Sequence, residues 1–248
     1  MENIKPINSS ELKAAIEKYS PFLKEVKKRI LLTLIVFSVS SIVGFVSSEK
    51  ILKTLINILS LKGVNLVFTS PFQYLTLSVS TGLATGVIFI LPLLLIQILS
   101  FLKPALREKE YKTIVRFLPF SIILFLIGFC FGMAAMKWQI EIFLNKSAAI
   151  GIGNILDISK LLNMVLLTSI FMGISFQFPI ILLILMRIGI VNRKELARQR
   201  KWVYLGAFIF AILLPADSVV IDIVLALPLV ILFEITLAMG RFPKAKNK

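Results

Sequence analysis

Six blocks almost free of charge alternate along the chain with short, charge-bearing stretches: residues 30–48, 76–102, 117–136, 161–186, 202–214 and 219–239. At 1.5 Å per helical residue, each of the first four is long enough to cross a hydrocarbon layer of about 30 Å. The fifth block is short, and the sixth follows almost at once through Leu214-Pro215-Ala216-Asp217-Ser218. These two predict a tight helical hairpin that does not reach fully across a bilayer. The pattern predicts an all-α integral membrane protein of six transmembrane helices, with both termini on the same side.

Ahead of the first block, Ser20-Pro21 predicts a helix start, with Ser as N-cap and Pro at the first helical position. That helix runs through Phe22-Leu23-Lys24-Glu25-Val26-Lys27-Lys28-Arg29 into the first span, and 11–19 predicts a short surface helix. Charged and polar residues fill the first 29 positions, which is not the pattern of a cleavable signal. Residues 1–29 therefore read as an N-terminal tail, 30–239 as the membrane domain and 240–248 as a basic C-terminal tail. Pro92, Pro179 and Pro228 fall inside the second, fourth and sixth blocks. Each removes a helix hydrogen bond and favours a kink, so the expected bundle is curved and concave. Gly82-x-x-x-Gly86 and Gly128-x-x-x-Gly132 allow helices to approach closely.

Composition sharpens this picture. The 248 residues are 58% hydrophobic, and 28 Lys and Arg stand against 13 Asp and Glu, for a net charge of +15. Mean hydropathy is +0.93. So apolar a chain is not disordered, and a soluble nucleic-acid binder could not hide these blocks from water. The charge is sided. Residues 1–29, 103–116, 187–201 and 240–248 carry 22 of the Lys and Arg, whereas 47–75, 137–160 and the last turn carry six. The positive-inside rule places both termini in the cytoplasm. With no His, the chain has no Ser-His or Cys-His pair, no HExxH zinc site and no imidazole relay. The single Cys130 lies within an apolar block and reads as a small packing residue. No cofactor or metal site is expected.

Polar residues in or beside the apolar blocks are the candidates for chemistry: Gln97, Gln177, Asp222 and Glu234. A carboxylate in hydrocarbon is costly, so Glu234 needs a partner, a proton or access to water. Gln177, in Phe176-Gln177-Phe178-Pro179, is either an interhelical hydrogen-bonding group or a polar group facing a cavity. On the basic face the outnumbered acids stand out: Glu25, Glu108 and Glu110. Carboxylates there could accept guanidinium groups in bidentate fashion. Equally, Glu25 could pair with Arg29 and Glu108 with Lys112 at i,i+4 spacing, and Glu110 with Arg107.

The order of motifs resembles the TatC family, the polytopic core subunit of the twin-arginine protein translocase. Phe22-Leu23-Lys24-Glu25-Val26-Lys27-Lys28-Arg29-Ile30 resembles its entry motif HLxELRxRL, with Phe in place of His and Val in place of Leu. Ser70-Pro71-Phe72 resembles its Ser-Pro motif, and Pro92-Leu93-Leu94-Leu95-Ile96-Gln97 with Lys103-Pro104-Ala105-Leu106 and Glu110 resembles the next segment. Phe125-x-x-Gly128-x-x-Phe131 is similar to the third span and Gly173-Ile174-Ser175-Phe176-Gln177-Phe178-Pro179 to the fourth. Leu214-Pro215-Ala216-Asp217, Leu227-Pro228 and Phe233-Glu234 are similar to the last hairpin. The likeness covers roughly 20–242.

The resemblance implies a receptor for the twin-arginine signal peptides of folded cargo proteins, assembled with TatA- and TatB-like single-span subunits and with further copies of itself. It implies export driven by the proton-motive force, in a bacterial or archaeal plasma membrane or a thylakoid membrane, without catalysis and without nucleic acid. In the family, the entry-motif glutamate and the loop glutamate receive the paired arginines; here these are Glu25 and Glu110, with Leu23 and Arg29 beside the first. Gln97, Gln177, Glu234 and Asp217 are the implied intramembrane polar or partner-contact residues, and Pro228 with Glu234 the implied contact for a single-span partner. Gln177 stands where the family often has Glu, and Gln73 where the Ser-Pro motif usually has an acid. The rival reading is a secondary solute transporter with a site between kinked helices, which predicts inverted repeats and paired charges near the midplane. No convincing repeat is visible. An intramembrane aspartyl dyad has only Asp157, Asp217 and Asp222 to draw on, none in a facing pair of long spans.

Overall fold

The computed structural model describes residues 9–59, 65–102, 115, 118–151, 155–216 and 218–239. The elements in order are α1 (Ser9–Val46), α2 (Ser48–Leu59), β1 (Asn65–Val67), α3 (Gln73–Leu102) and α4 (Leu118–Ala149). They continue with β2 (Ile155–Asp157), α5 (Ile158–Ser175), α6 (Phe178–Ile188), α7 (Arg193–Arg198), α8 (Arg200–Leu213) and α9 (Val219–Met239). Among the described residues, five helical stretches are long and apolar enough to cross a membrane: Lys24–Val46, Gln73–Gln97, Pro119–Ala149, Ile158–Met186 and Val219–Met239. The remaining apolar block forms α8, only 14 residues long. At 1.5 Å per residue it spans about 21 Å, short of a full hydrocarbon layer.

Several expectations are corrected. Ser20-Pro21 is not a helix boundary, because α1 runs unbroken from Ser9 to Val46. A proline inside a helix forfeits its N–H bond and crowds the carbonyl four residues back, a cost that the helix-forming residues on either side offset here. The segment between the first two spans holds a strongly amphipathic helix, α2, which buries Leu52, Leu55 and Leu59. The fold is not purely helical, since β1 and β2 pair in parallel, with Leu66 opposite Leu156. The fourth apolar block is one span in length but two helices in structure. α5 ends at Ser175, and Gln177 is the N-cap of α6 with Pro179 in its first turn. A proline there loses nothing, because first-turn N–H groups have no intrahelical acceptor. Pro92 and Pro228 do lie inside helices, α3 and α9. Cys130 is exposed on α4 and is not a packed residue.

Two antiparallel helix pairs, α1 with α3 and α4 with α5, form the frame. A Cβ built on Gly82 would sit 2.7 Å from the Ser41 carbonyl oxygen, and one on Gly132 would sit 2.8 Å from the Ser169 Cα. Main chains this close admit no side chain, so both glycine pairs lie where helices touch. The α5–α6 span is the central one: 56% of its most apolar window is buried, against 6% for the first span. Leu162, Val165 and Met172 of α5 are fully enclosed. The outward faces of α1, α3 and α8 expose Ile, Leu, Val and Phe, as hydrocarbon contact requires.

Candidate functional site

Glu25 and Arg29 stand one turn apart on α1, and the Arg29 Nη2 donates to Glu25 Oε1 at 2.5 Å. The local i,i+4 pairing read from the sequence is therefore present. The Glu25 side chain remains 57% exposed while that of Arg29 is 23% exposed. The difference arises because Arg29 turns toward α3, where its Nη1 donates to the Gln97 main-chain carbonyl at 2.6 Å. Thr33, one turn further along α1, lies with its hydroxyl 2.9 Å from Gln97 Oε1, and the Gln97 amide reaches back to the Arg29 carbonyl at 3.4 Å. Gln97 thus joins two turns of α1, and sequence reasoning missed Thr33 altogether. Its only sequence signal is a hydroxyl four residues after Arg29, since nothing in the chain announces a contact across 64 positions. Glu110 and Asp217 lie outside the described residues, as does the Leu23 side chain.

Gln177 is buried at the break between α5 and α6. The Ser121 hydroxyl of α4 donates to its Oε1, and its Nε2 donates to the Ser121 carbonyl at 3.1 Å. Of the two alternatives left open by the sequence, these contacts make it an interhelical hydrogen-bonding group. Asp222 is also buried, in the first turn of α9, where the helix dipole favours a carboxylate.

Glu234 has found its partners within the chain. Its Oε1 accepts from the Tyr204 hydroxyl of α8 at 2.5 Å and lies 3.3 Å from Arg200 Nε. Beside this cluster, Arg193 Nε donates to the Leu237 carbonyl at 2.9 Å and so binds the end of α9 to α7. Basic side chains near a helix C-terminus satisfy carbonyls that the helix leaves free.

At the opposite end of the bundle Asp157 gathers three segments. One oxygen accepts the Lys160 backbone N–H at 3.1 Å, capping α5, and the other accepts from Thr69 at 2.8 Å and Gln73 at 2.7 Å. These donors, with the Lys160 N–H foremost, hold the carboxyl below the usual aspartate range. An acid at position 73 would face Asp157 with like charge; the amide donates instead. Nearby, a cavity of about 690 Å³ opens between α4 and the starts of α5 and α9, lined by Met136, Ile140, Phe143, Leu161 and Ile221 with Lys160. Of the described residues singled out from the sequence, Asp157 alone lines it.

The family model described as Sec-independent protein translocase protein (TatC) matches residues 21–228. The Sec-independent protein translocase protein TatC of Carboxydothermus hydrogenoformans is 28% identical over 226 residues, covering 91% of this chain and 93% of that one. The TatCy protein of Bacillus subtilis is 28% identical over 220 residues, covering 88% and 87%. The Escherichia coli K12 TatC is 32% identical over a shorter 157 residues, 63% of this chain and 61% of that one. In three dimensions, a crystal structure of the twin arginine translocase receptor TatC in DDM superposes with a TM-score of 0.79 at 27% identity, covering 89% of this chain and 99% of that one.

Proposed function

The chain belongs to the TatC family of Sec-independent protein translocase proteins, and on that premise we propose that it is the receptor that takes up signal peptides carrying paired arginines. It is a multi-pass membrane protein of protein transport. The observation that carries the receptor reading is Glu25, an exposed carboxylate on α1 whose one partner among the described residues is already a guanidinium, that of Arg29. A carboxylate offers about four acceptor positions, so Glu25 can receive a second guanidinium beside the first. Glu110 is the proposed second acceptor. The basic residues around them repel other cationic segments, which favours a motif that binds both acids at once.

In this reading α8 is the short fifth of six spans and both termini face the cytoplasm, on the side where the Lys and Arg concentrate. The α8–α9 hairpin, with Pro228 and Glu234, contacts a TatA- or TatB-like single-span partner. The protein has no catalytic role of its own, and export draws on the proton-motive force.

The test is complementation and crosslinking. Expressed with its own partner subunits, the protein should export a folded reporter bearing an RR signal and not one bearing KK. A photo-crosslinking RR signal peptide should label the wild type and lose most of its label in the Glu25→Ala, Glu110→Ala double variant. Labelling that survives both changes overturns the carboxylate assignment, and export that ignores RR against KK overturns the receptor reading.

A further inference from the structure

Glu25 by itself is a poor binding group. It stands on the surface of a single helix with its side chain 57% exposed, free to sample several rotamers. Its neighbour is held from elsewhere. One end of the Arg29 guanidinium grips the Gln97 carbonyl on α3 at 2.6 Å, so the other end presents Nη2 to Glu25 at a defined place. The carboxylate is thereby tethered through Oε1, and no hydrogen bond to Oε2 is recorded among the described residues.

The position of the Gln97 carbonyl relative to α1 depends in turn on a side-chain loop. The Thr33 hydroxyl lies 2.9 Å from both the Arg29 carbonyl and Gln97 Oε1. It has one proton; given to Gln97 Oε1, that proton leaves both acceptors served, since the Arg29 carbonyl receives the Gln97 amide at 3.4 Å. The result is a reciprocal clasp: Thr33 donates to Gln97, and Gln97 donates back one turn earlier on α1. Partly buried polar groups of this kind lose free energy when one partner is removed.

We infer that Thr33 and Gln97 are positioning residues for signal-peptide binding: they hold Arg29, and Arg29 orients the Glu25 carboxylate so that Oε2 meets an incoming guanidinium. The inference rests on the reading of Glu25 as an arginine acceptor. It makes the receptor site a property of the α1–α3 pair and not of the entry motif alone.

The experiment uses the full chain in lipid nanodiscs and a fluorescent peptide of the RR signal type, with its KK counterpart as control. Thr33→Val, nearly isosteric, should weaken RR binding about five- to tenfold, and Thr33→Ser, which keeps the hydroxyl, should stay within about twofold of wild type. KK binding should change less, so the RR:KK preference falls. The deciding measurement is a double-mutant cycle with Glu25→Gln, in which the Thr33→Val penalty should disappear. If Thr33→Val costs as much without the Glu25 charge, or if it strengthens RR binding, the positioning role is overturned while the site reading stands. If Glu25→Gln leaves RR binding unchanged, the site reading itself fails and takes the inference with it. Should Thr33→Val not fold, Gln97→Met, which removes the other half of the clasp, is measured in the same cycle with the same expectation.

Discussion

Ser121 and Gln177 exchange hydrogen bonds in both directions, hydroxyl to amide oxygen and amide nitrogen to main-chain carbonyl, across 56 positions of sequence. The exchange joins the start of α4 to the break between α5 and α6, the one place where the central span loses its helix. Ser121 and Gln177 are both buried, so neither can turn to water when its partner is lost. Ser121→Ala should cost about 1–3 kcal/mol, read as a lower Tm of the protein in detergent. Combining it with Gln177→Leu should cost less than the sum of the two single changes, because the pair shares one interaction.

The helix contacts at glycine yield a contrasting pair. Gly132→Ala drives a methyl against main-chain atoms of α5, with Ser169 Cα at 2.8 Å, and backbone cannot move aside as a side chain can. A loss of about 1–3 kcal/mol is expected, as for an overpacked core. Gly206 on α8 has nothing within 4 Å of such a Cβ. There Gly206→Ala should raise stability by up to about 1 kcal/mol through helix propensity alone. Equal Tm shifts for the two variants would show that the close approach of α4 and α5 is wrong.

Asp157 ties the turn at Thr69, α3 and α5 together through charge-assisted hydrogen bonds, and its carboxyl titrates below the usual range. A folded-state value below the unfolded one means that the stabilisation is complete above the ordinary aspartate pKa of about 3.9 and fades as pH falls through the lower folded value. The wild-type Tm should therefore fall more steeply below about pH 4 than that of Asp157→Asn. At pH 7 the Asn variant should be the less stable. It keeps an N-cap side chain but turns an amide group toward the Thr69 and Gln73 donors. Parallel Tm–pH curves for the two proteins would refute the account.

On α8 and α9 the two contacts of Glu234 should be unequal. Arg200 and Glu234 are 44% and 37% exposed, so Arg200→Gln should change stability by less than about 0.5 kcal/mol. Tyr204→Phe removes a hydrogen bond to a charged group and should cost about 1.5 kcal/mol. Thermal unfolding of the two variants side by side decides which contact holds the hairpin closed.

Burial in a bilayer explains why so much was legible from the chain alone. Backbone groups in hydrocarbon must be satisfied almost wholly within the segment, so a long apolar block is mainly helical, and a break such as the one at Gln177 is found where a neighbouring helix supplies hydrogen bonds. The order of motifs, the first four long spans and the family likewise follow from one-dimensional patterns, whereas Val219–Met239, expected to fall short with its partner in the hairpin, is long and apolar enough to cross. So does the Glu25–Arg29 pair, because an i,i+4 spacing is local geometry. What periodicity could not supply were features made by distant segments. The parallel β1–β2 pair involves segments too short to show a period, and α2 lies in a charge-bearing stretch between blocks for which the pattern predicts no element. The choice between a cavity-facing and a hydrogen-bonded Gln177 depended on Ser121, and the setting of Arg29 depended on Gln97 and Thr33. Local composition dictates which segments are helical. Only helix packing dictates which polar atoms meet, because those partners lie tens of residues apart and their distances are set by glycine contacts between main chains.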